Sequence, residues 1–175
     1  ICINGLRRRS SGTRHCLSMR ARAASPFFKH RSTKPPSICS NNSMLRPIKI
    51  ASFELVDLPL IRYVAGTGKP MIISTGMASE AEVEEAVATA RSCGCKDLVL
   101  LHCISSYPTP IHQANLRRMS ALSKRFGTVP GLSDHTLGTT ASVAAVALGA
   151  CVIEKHFTLN RADKGPDSEF SLEPD

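Results

Sequence analysis

Five short apolar runs recur along the chain, each breaking into polar or ionisable residues at its C-terminal end: IKIAS, IISTG, LLHCISSY, GLSDHT and VIEKH. None alternates strictly between apolar and polar, which is the pattern of strands covered on both faces. The runs predict strands at Ile48–Ser52, Met71–Ser74, Leu98–Cys103, Val129–Leu132 and Cys151–Lys155. Helical stretches separate them. The first opens at Asp57, has Pro59 in its first turn and stops near Gly66. The second carries a Ser79/Glu82 capping box, with Val83, Ala86, Val87 and Ala90 at helical spacing and Gly94 as its stop. A third is expected from about Ala114 to Phe126, and a fourth from Thr140 to Leu148, apolar nearly all round and therefore expected to be buried. Strict alternation of strand and helix means consecutive βαβ units with right-handed crossovers. The polar endings then share one face, the C-terminal rim where α/β proteins bind ligands.

Charge is unevenly divided. The first 50 residues hold 11 of the 22 Lys and Arg and none of the 14 Asp and Glu, so the net charge of +8 belongs to the head. The body is slightly acidic and carries no basic stripe, so nucleic acid is not an expected partner despite a pI near 9.4. Residues 1–43 are rich in Arg, Ser and Pro and lack an apolar period, which predicts a disordered basic segment, with residues 44–175 as the folded domain. The head has the composition of a transit peptide; a truncated gene or translated non-coding sequence is the favoured alternative. No stretch is apolar for long enough to span a membrane. Seven scattered Cys without framework spacing predict reduced thiols and a cytoplasmic protein. The Cys93/Cys95 pair reads as chance, since no second pair or nearby His completes a tetrahedral site.

Chemistry concentrates at the strand ends. His135 follows the fourth strand and His156 the fifth, so two imidazoles meet at the rim if those strands are neighbours. Two neutral imidazoles suit a borderline divalent cation, although a His is also often a satisfied structural residue. Glu154 shares a strand face with His156 by the two-residue period, which favours a place in the site. Asp134 has two open readings, orienting His135 or forming a buried ion pair with a neighbour such as Lys155. Lys49, Ser52, Ser74 and Ser133 supply a cation and hydroxyls, while Gly76 and the helix beginning near Ser79 offer backbone N–H groups, a set suited to phosphate or carboxylate. Tyr107, Pro108 and Pro110 form either a stiff loop over the site or a plain turn.

From about Leu45 to Asp175 the chain resembles the nonulosonic acid synthases: sialic acid synthase, pseudaminic acid synthase and their spore-coat relatives. The strings that carry the likeness are KIASFELVDLPLI, GKPMIISTGMAS, SSYPTP, GLSDHTLG, ALGACVIEKHFTL and GPDSEFSLEP. The resemblance implies a (β/α)8 TIM barrel, of which this chain has about strands 4 to 8, followed in the family by an antifreeze-like domain that is absent here. It implies condensation of phosphoenolpyruvate with an N-acylated amino-sugar aldehyde, with Mn or Mg as cofactor and a homodimeric parent. By motif match His135 and His156 are the metal ligands; Lys49, Ser52, Ser74 and Ser133 bind phosphoenolpyruvate; and Tyr107 is a further contact. Ser105 stands where some sialic acid synthases have Asn, and Glu154 lies near the sugar, with a catalytic role alongside the two His. FTLNRADKGPDSEFSLEP and SFELVDLPLI favour the pseudaminic subtype, with N-acetylneuraminate synthase as the alternative. A five-strand arc leaves open edges, so the polypeptide alone is expected to be inactive and poorly soluble. Competing readings are a barrel aldolase with a Schiff base on Lys49 or Lys155, a nucleic-acid binder acting through its basic head, and a noncatalytic remnant.

Overall fold

A computed structural model describes residues 46–174. The expectations for residues 1–43 therefore lie outside the described residues. Five parallel strands run in chain order, β1 (Ile48–Ile50), β2 (Met71–Ser74), β3 (Leu98–Cys103), β4 (Val129–Asp134) and β5 (Val152–Lys155), each paired with the next. The helices α1 (Leu58–Gly66), α2 (Glu80–Ser92), α3 (Arg117–Phe126) and α4 (Thr140–Ala147) alternate with them. This is a half-barrel of the TIM type.

Local signals placed most element ends. Asp57 caps α1 through its carboxylate on the Leu60 N–H (3.0 Å), with Pro59 in the first turn. The capping box on α2 is complete: Glu82 N–H donates to the Ser79 hydroxyl, and the Glu82 carboxylate accepts from the Ser79 N–H (2.7 Å). Four expected bounds need correction. β1 ends at Ile50, because the Glu54 carboxylate accepts from the Ala51 N–H (2.7 Å) and draws Ser52–Glu54 into a 3-10 turn. β4 continues two residues past Leu132, and β5 starts one residue after Cys151. The third helix begins at Arg117, not near Ala114, because Asn115 adopts φ 43°, outside the helical region, after a 3-10 turn at Ile111–Gln113.

Strand period two divides the side chains between the two faces. Ile50, Met71, Ile73, Leu98 and Leu100 point to α1 and α2, where they pack with Ile61, Val64, Val83, Ala86 and Val87. Leu132 and Ile153 meet Met119 of α3 and Ala145 of α4. The other face is concave and holds Ile72, Val99, Leu101, Val129 and Val152. Gly131 lies on it because a Cβ there would come within 2.4 Å of Leu101 Cδ2 and 2.8 Å of the Val152 carbonyl. The curl of the sheet brings its edges together across this face, where Lys49 of β1 contacts Glu154 of β5.

The fourth helix is less covered than its composition predicts. Only Ala141 and Ala145 are buried, while Val143 and Leu148 are 66% and 48% exposed. A single apolar stripe is enough for the contact with β4 and β5. Among the described residues no further layer packs on the outer side. No described helix is long and apolar enough to cross a membrane.

Candidate active site at the C-terminal rim

The β4 and β5 pleats aim their side chains in pairs. Ser133 and Glu154 are register partners, and both face the concave side. The Ser133 hydroxyl donates to Glu154 Oε1 (2.7 Å), and Lys49 Nζ lies 3.2 Å from each carboxylate oxygen. Lys49 begins two layers lower, level with Ile72, so its long stem carries the ammonium up to the rim.

His135 follows on the same face. Its Nδ1 lies 2.9 Å from the Ile104 carbonyl, which can only accept, so Nδ1 carries the proton. Ser133 Oγ lies 3.5 Å from Nε2 but spends its proton on Glu154, which leaves the Nε2 lone pair free to bind a cation. Burial holds the His135 pKa below the ordinary 6.5, outweighing the Ile104 carbonyl, and the nearby His156 adds to the lowering. His135 is therefore a neutral imidazole at pH 7.

The loop after β3 is built onto this residue. Thr109 N–H donates to the His135 carbonyl (2.9 Å), and the Thr109 hydroxyl donates to the Ser106 carbonyl (2.8 Å). Tyr107 is thereby held against the imidazole, ring centroids 4.3 Å apart. The SSYPTP loop thus lies over His135. His156 stands 5.4 Å from His135 between centroids and 6.2 Å from Tyr107, with Phe170 packed edge-on at 5.1 Å. Asp167 Oδ2 lies 3.8 Å from His156 Nδ1. Beyond Tyr107 and Phe170 opens a cleft of about 600 Å³ lined also by Arg161, Lys164 and Asp167.

Ser52, Ser105 and Cys103 crowd round Gly76. A Cβ at Gly76 would lie 2.9 Å from Ser52 Oγ, 2.4 Å from Ser105 Oγ and 2.8 Å from Cys103 Sγ, so only glycine admits the three together. The Gly76 N–H donates to Ser52 Oγ (3.0 Å), and Cys103 Sγ is 3.9 Å from His135 Nδ1. Ser74 shares the concave face by strand period and is 2% exposed, and among the described residues its hydroxyl has no partner. An unpaired buried hydroxyl is costly, and a ligand oxygen would satisfy it.

Geometry cuts back one expectation and decides another. At the α2 N-terminus the Ser79 hydroxyl accepts from the Glu82 N–H and the Glu82 carboxylate accepts from the Ser79 N–H, and Glu80 and Glu82 place negative charge in the first turn, which disfavours an anion there. Asp134 and Lys155 face the helices, not the rim. Their 3.0 Å ion pair is almost wholly buried, so the buried-pair reading of Asp134 is the observed one. Lys155 is thereby removed as a Schiff-base lysine. Ser142 and Thr136 also donate to Asp134, and against the cost of burial these contacts hold its pKa below the ordinary value.

Among the described residues, no three His, Cys, Asp or Glu side chains form a preformed metal cage. The described Cys93, Cys95, Cys103 and Cys151 are free thiols. The rim offers two imidazoles, His135 presenting Nε2 while Nδ1 is held by Ile104, and two neutral imidazoles suit a borderline divalent cation; the Glu154 carboxylate is engaged by Ser133 and Lys49.

The sequence profile described as the NeuB family matches residues 30–175.

This chain belongs to the NeuB family.

Among its curated NeuB-family relatives, the pseudaminic acid synthase of Helicobacter pylori is 48% identical over 125 residues, 71% of this chain and 37% of that protein. The N,N'-diacetyllegionaminic acid synthase of Campylobacter jejuni is 47% identical over 136 residues, 77% of this chain and 41% of that protein. The crystal structure of the N-acetylneuraminic acid synthetase of Leptospira borgpetersenii, in complex with citrate, superposes with TM-score 0.70 at 39% identity, covering 73% of this chain and 45% of that one. The NeuB-family segment thus spans under half the length of these relatives.

Of the residues expected in the site, Lys49, Ser133, Glu154, His135, His156 and Tyr107 form one connected group, Ser52 joins it through Cys103, and Ser105 stands beside Gly76. Sequence reasoning missed Cys103, Asp167 and Phe170. GPDSEF was recognised as a matching string, but no role was given to its residues. The signal for Phe170 and Asp167 was their place in a string with neither helical nor strand period.

Proposed function

We propose that this chain forms the phosphoenolpyruvate-binding and cation-binding part of a nonulosonic acid synthase. The reaction joins phosphoenolpyruvate to an N-acylated amino-sugar aldehyde, giving a nine-carbon 2-keto acid and inorganic phosphate. The observation that carries this reading is the convergence of Lys49, Ser133, Glu154, His135, His156 and Tyr107 on one rim. Manganese or magnesium, held by His135 and His156, supplies Lewis-acid polarisation of the aldehyde when bound.

The remaining work falls to the side chains. The Lys49 ammonium and the hydroxyls of Ser52, Ser74 and Ser133 bind phosphate and carboxylate, with Ser105 beside them. Fixed this way, C3 of the enol attacks the aldehyde carbon in an effectively intramolecular step. The aldehyde oxygen takes a proton, water adds to the cationic C2, and phosphate leaves with its C–O bond broken. Glu154, beside both Ser133 and Lys49, receives the proton that this water releases. The cleft beyond Tyr107, with Arg161, Lys164 and Asp167, suits the hydroxyls and amides of the sugar. The strings FTLNRADKGPDSEFSLEP and SFELVDLPLI favour a 2,4-diacetamido-trideoxy sugar, as pseudaminic acid synthases use. The free thiols support a cytoplasmic setting.

Because β1 and β5 each lack a second partner among the described residues, the 175-residue polypeptide by itself is predicted not to turn over. Replacing the matching segment of the Leptospira synthetase with residues 46–174 of this chain closes the barrel and tests the chemistry. Such a chimera should release phosphate and form keto acid with Mn, and its His156→Ala variant should lose both by at least about a hundredfold. A folded chimera without phosphate release would contradict the assignment, and turnover by the isolated chain would contradict its predicted inactivity. In the chimera, preference for an N-acetyl hexosamine over the diacetamido sugar would overturn the subtype.

A further inference from the structure

Asp134 directly precedes His135, Lys155 directly precedes His156, and Asp134 and Lys155 are register partners in the β4–β5 ladder. Strand period therefore sends the ion pair to the helix face, directly behind the two imidazoles on the concave face. The pair makes more contacts than mutual neutralisation requires. Asp134 Oδ1 accepts from the Thr136 N–H (2.9 Å) and the Thr136 hydroxyl (2.8 Å), while Lys155 Nζ donates to the Thr136 carbonyl (2.6 Å). Thr136, the residue after His135, is thus held at both its amide and its carbonyl. The Ser142 hydroxyl donates to Asp134 Oδ2 and ties the same point to the first turn of α4. Side-chain exposure of the pair is 9% for Lys155 and 1% for Asp134. Burying two charges is a poor way to gain stability, since well-packed apolar residues of similar volume often do as well or better. What the ion pair supplies that apolar packing would not is a fixed backbone geometry on both strands at once.

We propose that Asp134 and Lys155 form a clamp that sets the aim and separation of His135 and His156. Both are positioning residues, and the inference rests on reading the two imidazoles as the cation ligands proposed above. Without the clamp, the backbone at residues 134–136 relaxes, and His135 no longer keeps Nδ1–H on the Ile104 carbonyl. The Nε2 lone pair then has no fixed direction. Outer partners of metal ligands typically contribute about 10-fold to 100-fold in metal affinity.

The test uses the 175-residue chain with Asp134→Asn and Lys155→Met, read by nitrogen NMR of the histidine ring without metal and by Mn²⁺ titration. Wild type should show His135 as a single Nδ1–H tautomer. Each variant should show mixed tautomers and bind Mn²⁺ about 10-fold to 100-fold more weakly, with native circular dichroism retained. The double variant should lose no more affinity than the weaker single, because one pair is broken in every case. Leu98→Ala, which opens a cavity in the core under α1 and α2 at the end of β3 opposite the rim, should keep the wild-type tautomer and affinity. Unchanged tautomer and affinity in both clamp variants, with only the melting temperature lowered, would overturn the proposal. If wild type bound no Mn²⁺, the cation assignment would fall, and the tautomer measurement would still decide the clamp. Should Asp134→Asn fail to fold, Lys155→Met decides alone, since it leaves Asp134 its donors from Thr136 and Ser142.

Discussion

At the scale of single residues, burial governs the protonation of the two buried histidines, His102 and His135. His102 lies in β3, is 2% exposed, and donates from Nε2 to the Ala114 carbonyl (2.9 Å). Desolvation lowers its pKa below 6.5, outweighing the carbonyl, and the nearby Arg118 lowers it further. Protons then bind the unfolded chain more readily than the folded one. The contribution of His102 is full above the unfolded value of about 6.5 and is lost as pH falls from there through the lower folded value. Urea unfolding of wild type and His102→Asn at pH 7.5 and pH 5 checks this, and the wild type should lose more stability on acidification than the variant. Equal losses would show that His102 is not the group titrating. The same residue marks a limit of sequence reading. LLHCISSY shows a His inside a buried run, but only the faces of β3 reveal that His102 turns to the helices and Cys103 to the rim. His135 and His156 were legible because each sits at a strand end, where side-chain direction follows from the fold.

At the scale of elements, the signals that were read correctly are the ones satisfied locally. The α1 and α2 starts follow from the fixed φ of Pro59 and from Asp57, Ser79 and Glu82, whose hydrogen bonds close within one turn. Ser79→Ala should therefore destabilise the fold by about 1 kcal/mol, measured as a lower urea midpoint with unchanged slope; a loss under about 0.3 kcal/mol would mean the α2 end frays without consequence. The errors arose where tertiary structure overrides local pattern. Leu116 and Ala114 looked continuous with α3, but Ala114 offers its carbonyl to His102 and Asn115 turns out of the helix. Apolar composition all round α4 suggested complete cover, yet burial depends on what packs against each face, and composition is silent on that. For the same reason the orientation of Asp134 stayed open from sequence: a carboxylate beside a His can serve either face until the pleat is known.

At the scale of the whole molecule, five strands and four helices curl far enough for β1 to touch β5 through Lys49 and Glu154, so residues 105 apart in sequence share one site. That contact was not predictable from any local pattern, because it depends on the curvature of the sheet. The family resemblance anticipated the grouping, and the geometry adds the tautomer of His135, the self-capped start of α2 and the helix-facing position of the Asp134–Lys155 pair. The central claim is that the rim is a cation-dependent phosphoenolpyruvate site. Its most direct test is electron paramagnetic resonance titration of the 175-residue chain with Mn²⁺, with and without phosphoenolpyruvate, in wild type, His135→Ala and His156→Ala. The account predicts one bound Mn²⁺ per wild-type chain, a spectrum altered by phosphoenolpyruvate, and affinity lowered at least about tenfold in either variant. Wild-type Mn²⁺ affinity in both histidine variants would contradict it.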